Sequence, residues 1–261
     1  MKLRELTNFL ESIADLNLQE SYDNSGLIFG NPDIEITSVL CSLDCTKEVL
    51  MKAKELNCNL VVSHHPILFN GIKKFNELHY VDQAIIYAIK NDIAIYAIHT
   101  NLDNVFEHGV NQKIGLKLDL QELRILSPKP GVENSGAGMI GHLKENMNID
   151  DFFTDVKLRL KTPLIRHSRI IKNQISRVAV AGGSGAFLIK QAILSEADVL
   201  ITADIKYHDF FEANDRIVLM DIGHYESEQF TIELLYELIS QKFSSFATHY
   251  IKTSTNPVHY Y

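Results

Sequence analysis

Apolar and polar positions follow two rhythms along this chain, one with helical spacing and one made of short, nearly continuous apolar runs. From Leu3 to Leu16 the apolar residues recur at helical spacing and predict an amphipathic helix. Ser38 to Leu43 predicts a strand, and Thr46 to Leu56 a helix with Thr46 placed to cap its N-terminus. Asn59 to Ser63 predicts a second strand, stopped by Pro66. Val81 to Lys90 reads as a helix, Ile93 to Ile98 as an extended segment ending at His99, and Val110 to Ile114 as a short helix.

The rhythm blurs past Leu116. Pro128 and Pro130 break it, because neither can continue a helix or a central strand, and Gly131 to Gly141 reads as glycine-rich and irregular. Asn148 to Leu160 predicts a helix. Arg177 to Ala181, Ala186 to Leu194 and Val199 to Thr202 read as strand, helix and strand. Asp209 to Asn214, Arg216 to Met220 and Glu226 to Ser240 follow as helix, strand and long helix.

The chain also resembles itself. Val39 to Ser63 (VLCSLDCTKEVLMKAKELNCNLVVS) aligns without a gap on Val178 to Thr202 (VAVAGGSGAFLIKQAILSEADVLIT), at a constant offset of 139 residues. Both segments read strand, polar turn, helix, short turn, strand. Strands alternating with helices predict an α/β protein of two similar domains with mostly parallel sheets, here residues 1–125 and 126–261. Ligands of such sheets gather at the carboxyl ends of the strands. Asp44, the pair His64 and His65, and His99 each follow a predicted strand, as do Asp204, Asp221 and His224 in the second half.

Composition narrows the function classes. Net charge is −8 and no Lys/Arg stripe stands out, which disfavours nucleic acid as a partner. The apolar runs are too short to span a bilayer and the N-terminus lacks a leader pattern, so a cytoplasmic protein without a membrane partner is expected. Cys41, Cys45 and Cys58 form no CxxC pair and read as reduced thiols in or near the core. The 11 histidines are the unusual feature.

Three short segments carry the candidate chemistry. In SHHP, His64 and His65 sit at a strand end, where they can diverge into one cavity and serve different ions; a satisfied pair at a turn is the plainer alternative. In HTNLD, Asp103 is a candidate ligand or a helix cap, and His99 a ligand, an orienting group or a proton donor. In GHYESE, His224 and Glu228 stand at i, i+4 on one helical face, and a carboxylate, unlike a neutral imidazole, can bridge two cations. Glu226 points elsewhere on the same helix. Together these segments offer three histidines and two carboxylates beside His99, a mixture suited to two divalent cations such as Zn, Fe, Mn or Co. Two ions sharing a water would lower its pKa and make a nucleophile at neutral pH. Gly182-Gly183-Ser184-Gly185 reads as a tight turn more readily than as a phosphate cradle. Asp204 and His208 could share a helical face as outer-shell or substrate-contacting groups; a surface ion cluster is the alternative.

These residues resemble the NIF-three-like family, the GTP cyclohydrolase I type 2 homologues. The resemblance is carried by SYDNSGLIFG (21–30), LVVSHHP (60–66), HTNLDN (99–104), GVN (109–111), VAVAGGSG (178–185), TADIKYHD (202–209), DIGHYESE (221–228) and the closing TNPVHYY. It implies two α/β domains around a dinuclear metal centre, with His65 and Asp103 on one ion, His64 and His224 on the other, and Glu228 bridging. It also implies a ring-shaped homohexamer. Some relatives carry an inserted domain, for which 261 residues leave no room. Ala203 replaces a usual glycine, and Val105 to His108 replaces a small Gly/Pro-rich turn. The expected activity is hydrolysis of a nucleotide or related small heterocycle, with His99, Lys206 and His208 handling protons or anionic groups. The alternative is a non-catalytic metal-binding ring assembly or regulatory binding protein.

Overall fold

The computed structural model describes residues 1–261. Met1–Leu102 and Thr231–Pro257 form one unit, and Asp103–Phe230 with Val258–Tyr261 form the other. The first contains α1 (Leu3–Ile13), β1 (Gly26–Phe29), β2 (Ser38–Ser42), α2 (Lys47–Glu55), β3 (Leu60–Ser63), α3 (Tyr80–Lys90), β4 (Ala94–Ala97) and α4 (Thr100–Asp103), at whose last residue the second unit begins. The second contains α5 (Val110–Lys117), β5 (Gln121–Pro128), β6 (Gly136–Asn148), α6 (Ile149–Leu160), β7 (Arg166–His167), β8 (Gln174–Ser184), α7 (Ile189–Leu194), β9 (Val199–Ala203), β10 (Val218–Asp221) and α8 (His224–Glu228). The chain then returns to the first unit with α9 (Thr231–Lys242) and β11 (Ala247–Tyr250).

The first sheet has the order β1-β4-β3-β2-β11, parallel except for the antiparallel edge strand β1. Leu40, Val61 and Ile95 of its strands pack with Val49, Leu50 and Ala53 of α2 and with Ala84, Ile85 and Ala88 of α3. Such fully buried aliphatic side chains contribute about 1.5–3 kcal/mol each. The Thr46 hydroxyl caps α2 by accepting the Val49 N–H at 3.3 Å, as its position predicts. The second sheet has the order β5-β6-β8-β9-β10-β7, with parallel β8, β9 and β10 at its centre and antiparallel strands outside them.

The internal similarity is a similarity of register. Val39, Leu40 and Cys41 of β2 pair with Leu60, Val61 and Val62 of β3, and adding 139 to every number gives the pairing of β8 with β9. The match ends where β8 bulges: the next pair in the first sheet is Ser42 with Ser63, but in the second it is Ser184 with Ala203. The extra length is the Gly182-Gly183 segment.

The structure draws the division differently from a cut after residue 125. β11 pairs in parallel with β2, which brings α9 and the chain as far as Pro257 back to the first unit, while β5 pairs with β6 and so pulls residues from 103 onward into the second. The segment Gly131 to Gly141, expected to be irregular, instead runs into the 13-residue strand β6. A side chain at Gly138, whose φ is +64°, would meet Leu188 Cδ1 at 2.8 Å and the Val180 carbonyl at 3.0 Å, so glycine here marks close packing within a strand. The long helix expected over Glu226 to Ser240 is two helices, α8 and α9. No helix is long and apolar enough to cross a membrane.

Candidate metal centre

In the first unit, Ser63 of β3 and Ala97 of β4 are register partners, so His64, His65 and His99 emerge from one end of the sheet. The His64 and His65 N–H groups donate to the Ser42 and Leu43 carbonyls at 3.2 and 2.8 Å, and the Ser63 hydroxyl donates to the His65 carbonyl at 2.9 Å. These bonds fix the turn. The three imidazoles cluster with centroids 5.1–5.3 Å apart, and one ring nitrogen of each lies within 4.8 Å of the others.

The Nδ1 atom of each ring is already committed. His64 Nδ1 lies 2.8 Å from the Ile98 carbonyl, which can only accept, so Nδ1 carries the proton and Nε2 keeps its lone pair. His65 Nδ1 lies 2.7 Å from Asp44 Oδ1, and His99 Nδ1 lies 2.8 Å from Asp23 Oδ1. Burial works to raise the Asp23 pKa, but the bonds and charge of His99, the Thr100 hydroxyl and the Asn24 N–H hold it well below the usual carboxylate range. Carboxylate-oriented imidazoles of this kind are typical of metal-ligating histidines.

In the second unit, Gly223, with φ of +93°, turns the chain from β10 into α8. His224 and Glu228 share the expected face, with Nε2 3.1 Å from Oε2. His224 Nδ1 lies 2.6 Å from Asp204 Oδ2. Burial would lower the His224 pKa, but the hydrogen bonds and charges of Asp204 and Glu228 raise it to about 11. That bond to His224 holds Asp204 below its ordinary value. The carboxylates of Asp204 and Glu228 flank this imidazole on both sides, and their negative charge is the electrostatics a cation site needs. Glu228 is 2% exposed, and a Glu228 oxygen lies within 4.8 Å of one of Asp103. Asp103 ends α4 and is not a helix cap; the cap position of α5 is Gly109. The Asp103 carbonyl accepts from Asn111 Nδ2 at 3.0 Å, and Asn111 Oδ1 accepts the Gly182 N–H at 2.9 Å. The Gly183 N–H donates to Ser227 Oγ at 2.9 Å, so these amides hold the bulge in place and do not form an anion cradle.

The first unit thus gathers three imidazoles that could hold a metal, and the second brings a Glu228 oxygen within 4.8 Å of one of Asp103 and within 3.1 Å of His224 Nε2. Imidazole nitrogens beside carboxylates fit a borderline divalent cation. Glu226, as expected, turns away: it is buried, and after burial itself its charge is the largest influence raising the Tyr260 phenol pKa. Asp204 does not share a helical face with His208, since it opens the loop after β9 with φ of +54° and binds His224 instead. Lys206 and His208 are exposed, and the His208 ring lies 5.2 Å from that of Tyr207 and 6.3 Å from that of Phe211. Cys41, Cys45 and Cys58 are free and buried, with burial pushing Cys45 up to about 12.

The family whose sequence pattern matches this chain is Duf34/NIF3 (NGG1p interacting factor 3), over residues 1–257. The chain belongs to the Duf34/NIF3 family. A Clostridium perfringens protein named GTP cyclohydrolase 1 type 2 homolog is 33% identical over 248 residues, 94% of each chain. A Campylobacter jejuni protein of the same name is 33% identical over 238 residues, 90% of each. A Staphylococcus aureus crystal structure matches with a TM-score of 0.92 at 30% identity, covering 100% of this chain and 99% of that one. A Bacillus cereus protein related to NIF3 matches with a TM-score of 0.94 at 23% identity, which speaks for the fold alone.

Some groups of this Duf34/NIF3 chain were not assigned from sequence. Asp23 sits in SYDNSGLIFG and bonds His99 from 76 residues away, so no local spacing marks it. Asp44 stands at a strand end, the one available signal, but nothing in the linear order pairs it with His65. Thr100 and Thr255, which donate to Asp23 and Asp44, gave no signal beyond lying in HTNLDN and TNPVHYY.

Proposed function

We propose that this protein is a dinuclear metal-dependent hydrolase of a nucleotide or related small heterocycle, with His65 and Asp103 serving one ion, His64 and His224 the other, and Glu228 both. The observation that carries this reading is the common state of the histidines: His64, His65 and His224 each engage Nδ1 with an oxygen acceptor, so Nε2 is the nitrogen that would meet a cation, which at His224 would take the place of the proton shared with Glu228. The names of the relatives point to the same reaction class.

Two bound cations, Zn, Fe, Mn or Co, would polarise the substrate and make water nucleophilic at neutral pH. In hydrolysis of a ring carbon–nitrogen bond, the water oxygen bonds to carbon, the bonding pair leaves with nitrogen, and nitrogen takes a proton. His99, held by Asp23 beside His64 and His65, would move that proton. Lys206 and His208, both exposed, would meet anionic groups of the substrate. We extend the proposal to a homohexamer, checked by light scattering for six chain masses.

The test is elemental analysis of protein purified without chelator, followed by turnover of a nucleotide panel that includes GTP. Two equivalents of metal and turnover lost in Glu228→Ala are expected. Equal turnover in Glu228→Ala would refute the mechanism.

A further inference from the structure

We propose that the C-terminal tail is part of the metal centre, with Thr255 acting as a positioning residue that fixes Asp44 and, through it, the His65 imidazole. This rests on the reading of His65 as a ligand. Asp44 divides its two oxygens: Oδ1 faces His65 Nδ1 at 2.7 Å, and Oδ2 accepts the Thr255 hydroxyl. Rotating the carboxylate would disturb both bonds together, so the hydroxyl sets the plane that His65 meets. The tail reaches this point because β11 runs parallel to β2 with Tyr250 opposite Cys41, and the Ile251 N–H donates to the Cys41 carbonyl at 2.9 Å. The last residues therefore run alongside the exit of β2, where Asp44 follows.

The same unit builds this device twice. Thr100 Oγ1 donates to Asp23 Oδ2, while Asp23 Oδ1 faces His99 Nδ1 at 2.8 Å. Two hydroxyl–carboxylate–imidazole chains with the same atom order arise from unrelated segments, one supplied by α4 and one by the tail. Recurrence on two neighbouring imidazoles argues for orientation of the rings as the shared purpose. It gives Thr255, the first residue of TNPVHYY, a role in the centre.

The experiment compares the full chain with Thr255→Val, Thr255→Ala, Thr255→Ser and Ser254→Ala, whose hydroxyl serves only the local Asn256 N–H at 3.2 Å. Zinc affinity is measured by chelator competition, and the His65 tautomer by nitrogen NMR of metal-free protein. Loss of an orienting partner costs about tenfold or more in metal affinity. Thr255→Val and Thr255→Ala are expected to weaken one of two zinc sites by about that factor and to mix the His65 tautomers, with Thr255→Ser restoring affinity to within roughly twofold and Ser254→Ala matching the wild type. Wild-type affinity and a single Nδ1–H tautomer in whichever of Thr255→Val and Thr255→Ala folds would overturn the proposal, as would failure of Thr255→Ser to restore affinity. If the wild type binds no zinc, the metal reading fails separately, and the metal-free tautomer still judges Thr255.

Discussion

A Cβ placed on Gly183 would stand 2.4 Å from Glu228 Oε1, and 3.3 Å from His224 Cε1. The bulge in β8 is thus the floor under the Glu228 carboxylate, and only glycine leaves that floor open. Gly183 also has φ of +61°, where a side chain costs about 1 kcal/mol. Gly183→Ala should fold with a lowered melting temperature and lose more than about tenfold in zinc affinity, because Glu228 has to turn aside. Wild-type zinc affinity in a folded Gly183→Ala protein would show that the carboxylate position is immaterial.

Asp204 orients His224 as Asp44 orients His65. Asp204→Ala removes the 2.6 Å partner of Nδ1 and lets the ring rotate and exchange tautomers. Because Asp204 is exposed, little fold stability should be lost, while zinc affinity falls about 10–100-fold. Chelator competition and a thermal melt, run side by side, separate the two effects. An equal fall in stability with no change in affinity would make Asp204 a structural residue.

How much of this was legible in the sequence depends on how local each signal is. Thr46 at the start of α2 and the i, i+4 pair of His224 and Glu228 are local, and the structure has them where the spacing put them. The register shared by β2/β3 and β8/β9 was legible too, because a gapless alignment preserves strand pairing. Strand β6 was not, since Gly136, Gly138 and Gly141 mimic a loop when their packing partners are unseen. The return of β11 to β2 joins residues about as far apart as the chain allows, and only the folded sheet reveals it. For the same reason Asp23 and Asp44 had residue identity but no assigned partner.

Removing metal should destabilise the protein by a calculable amount. A ligand that binds only the folded state, at about 100 times its Kd, contributes roughly 2.7 kcal/mol. Dialysis against a chelator should lower the melting temperature, and zinc or manganese should restore it in a concentration-dependent way. Glu228→Ala should show no such restoration. A melt unaffected by chelator and by added metal would mean that the donor sets hold no ion.

The acid stability of the second unit should depend on Asp198. Its Oδ2 accepts the Ser176 and Arg177 N–H groups at 2.8 and 2.9 Å, Oδ1 takes Lys172, and the residue is 8% exposed. Burial works to raise its pKa, but these donors win and hold it below the ordinary value. A carboxylate with a depressed folded pKa stabilises the fold fully above its unfolded pKa of about 3.9, and that contribution is lost as pH falls through the folded value. The first unit performs the same task without a charge: Asn59, offset from Asp198 by 139, accepts the Thr37 N–H at 2.8 Å, and Thr37 is offset from Ser176 by the same number. Its carbonyl also takes the Ala94 N–H, as that of Asp198 takes the Val218 N–H. Asp198→Ala should therefore cost about 1–3 kcal/mol at pH 7 by leaving two partly buried amides unmet. Asp198→Asn, imitating Asn59, should keep most of that stability. Urea unfolding between pH 7 and 3 should show the wild-type advantage over Asp198→Asn shrinking on the acid side. An advantage that stays constant over this range would mean that the carboxylate charge contributes nothing to the fold.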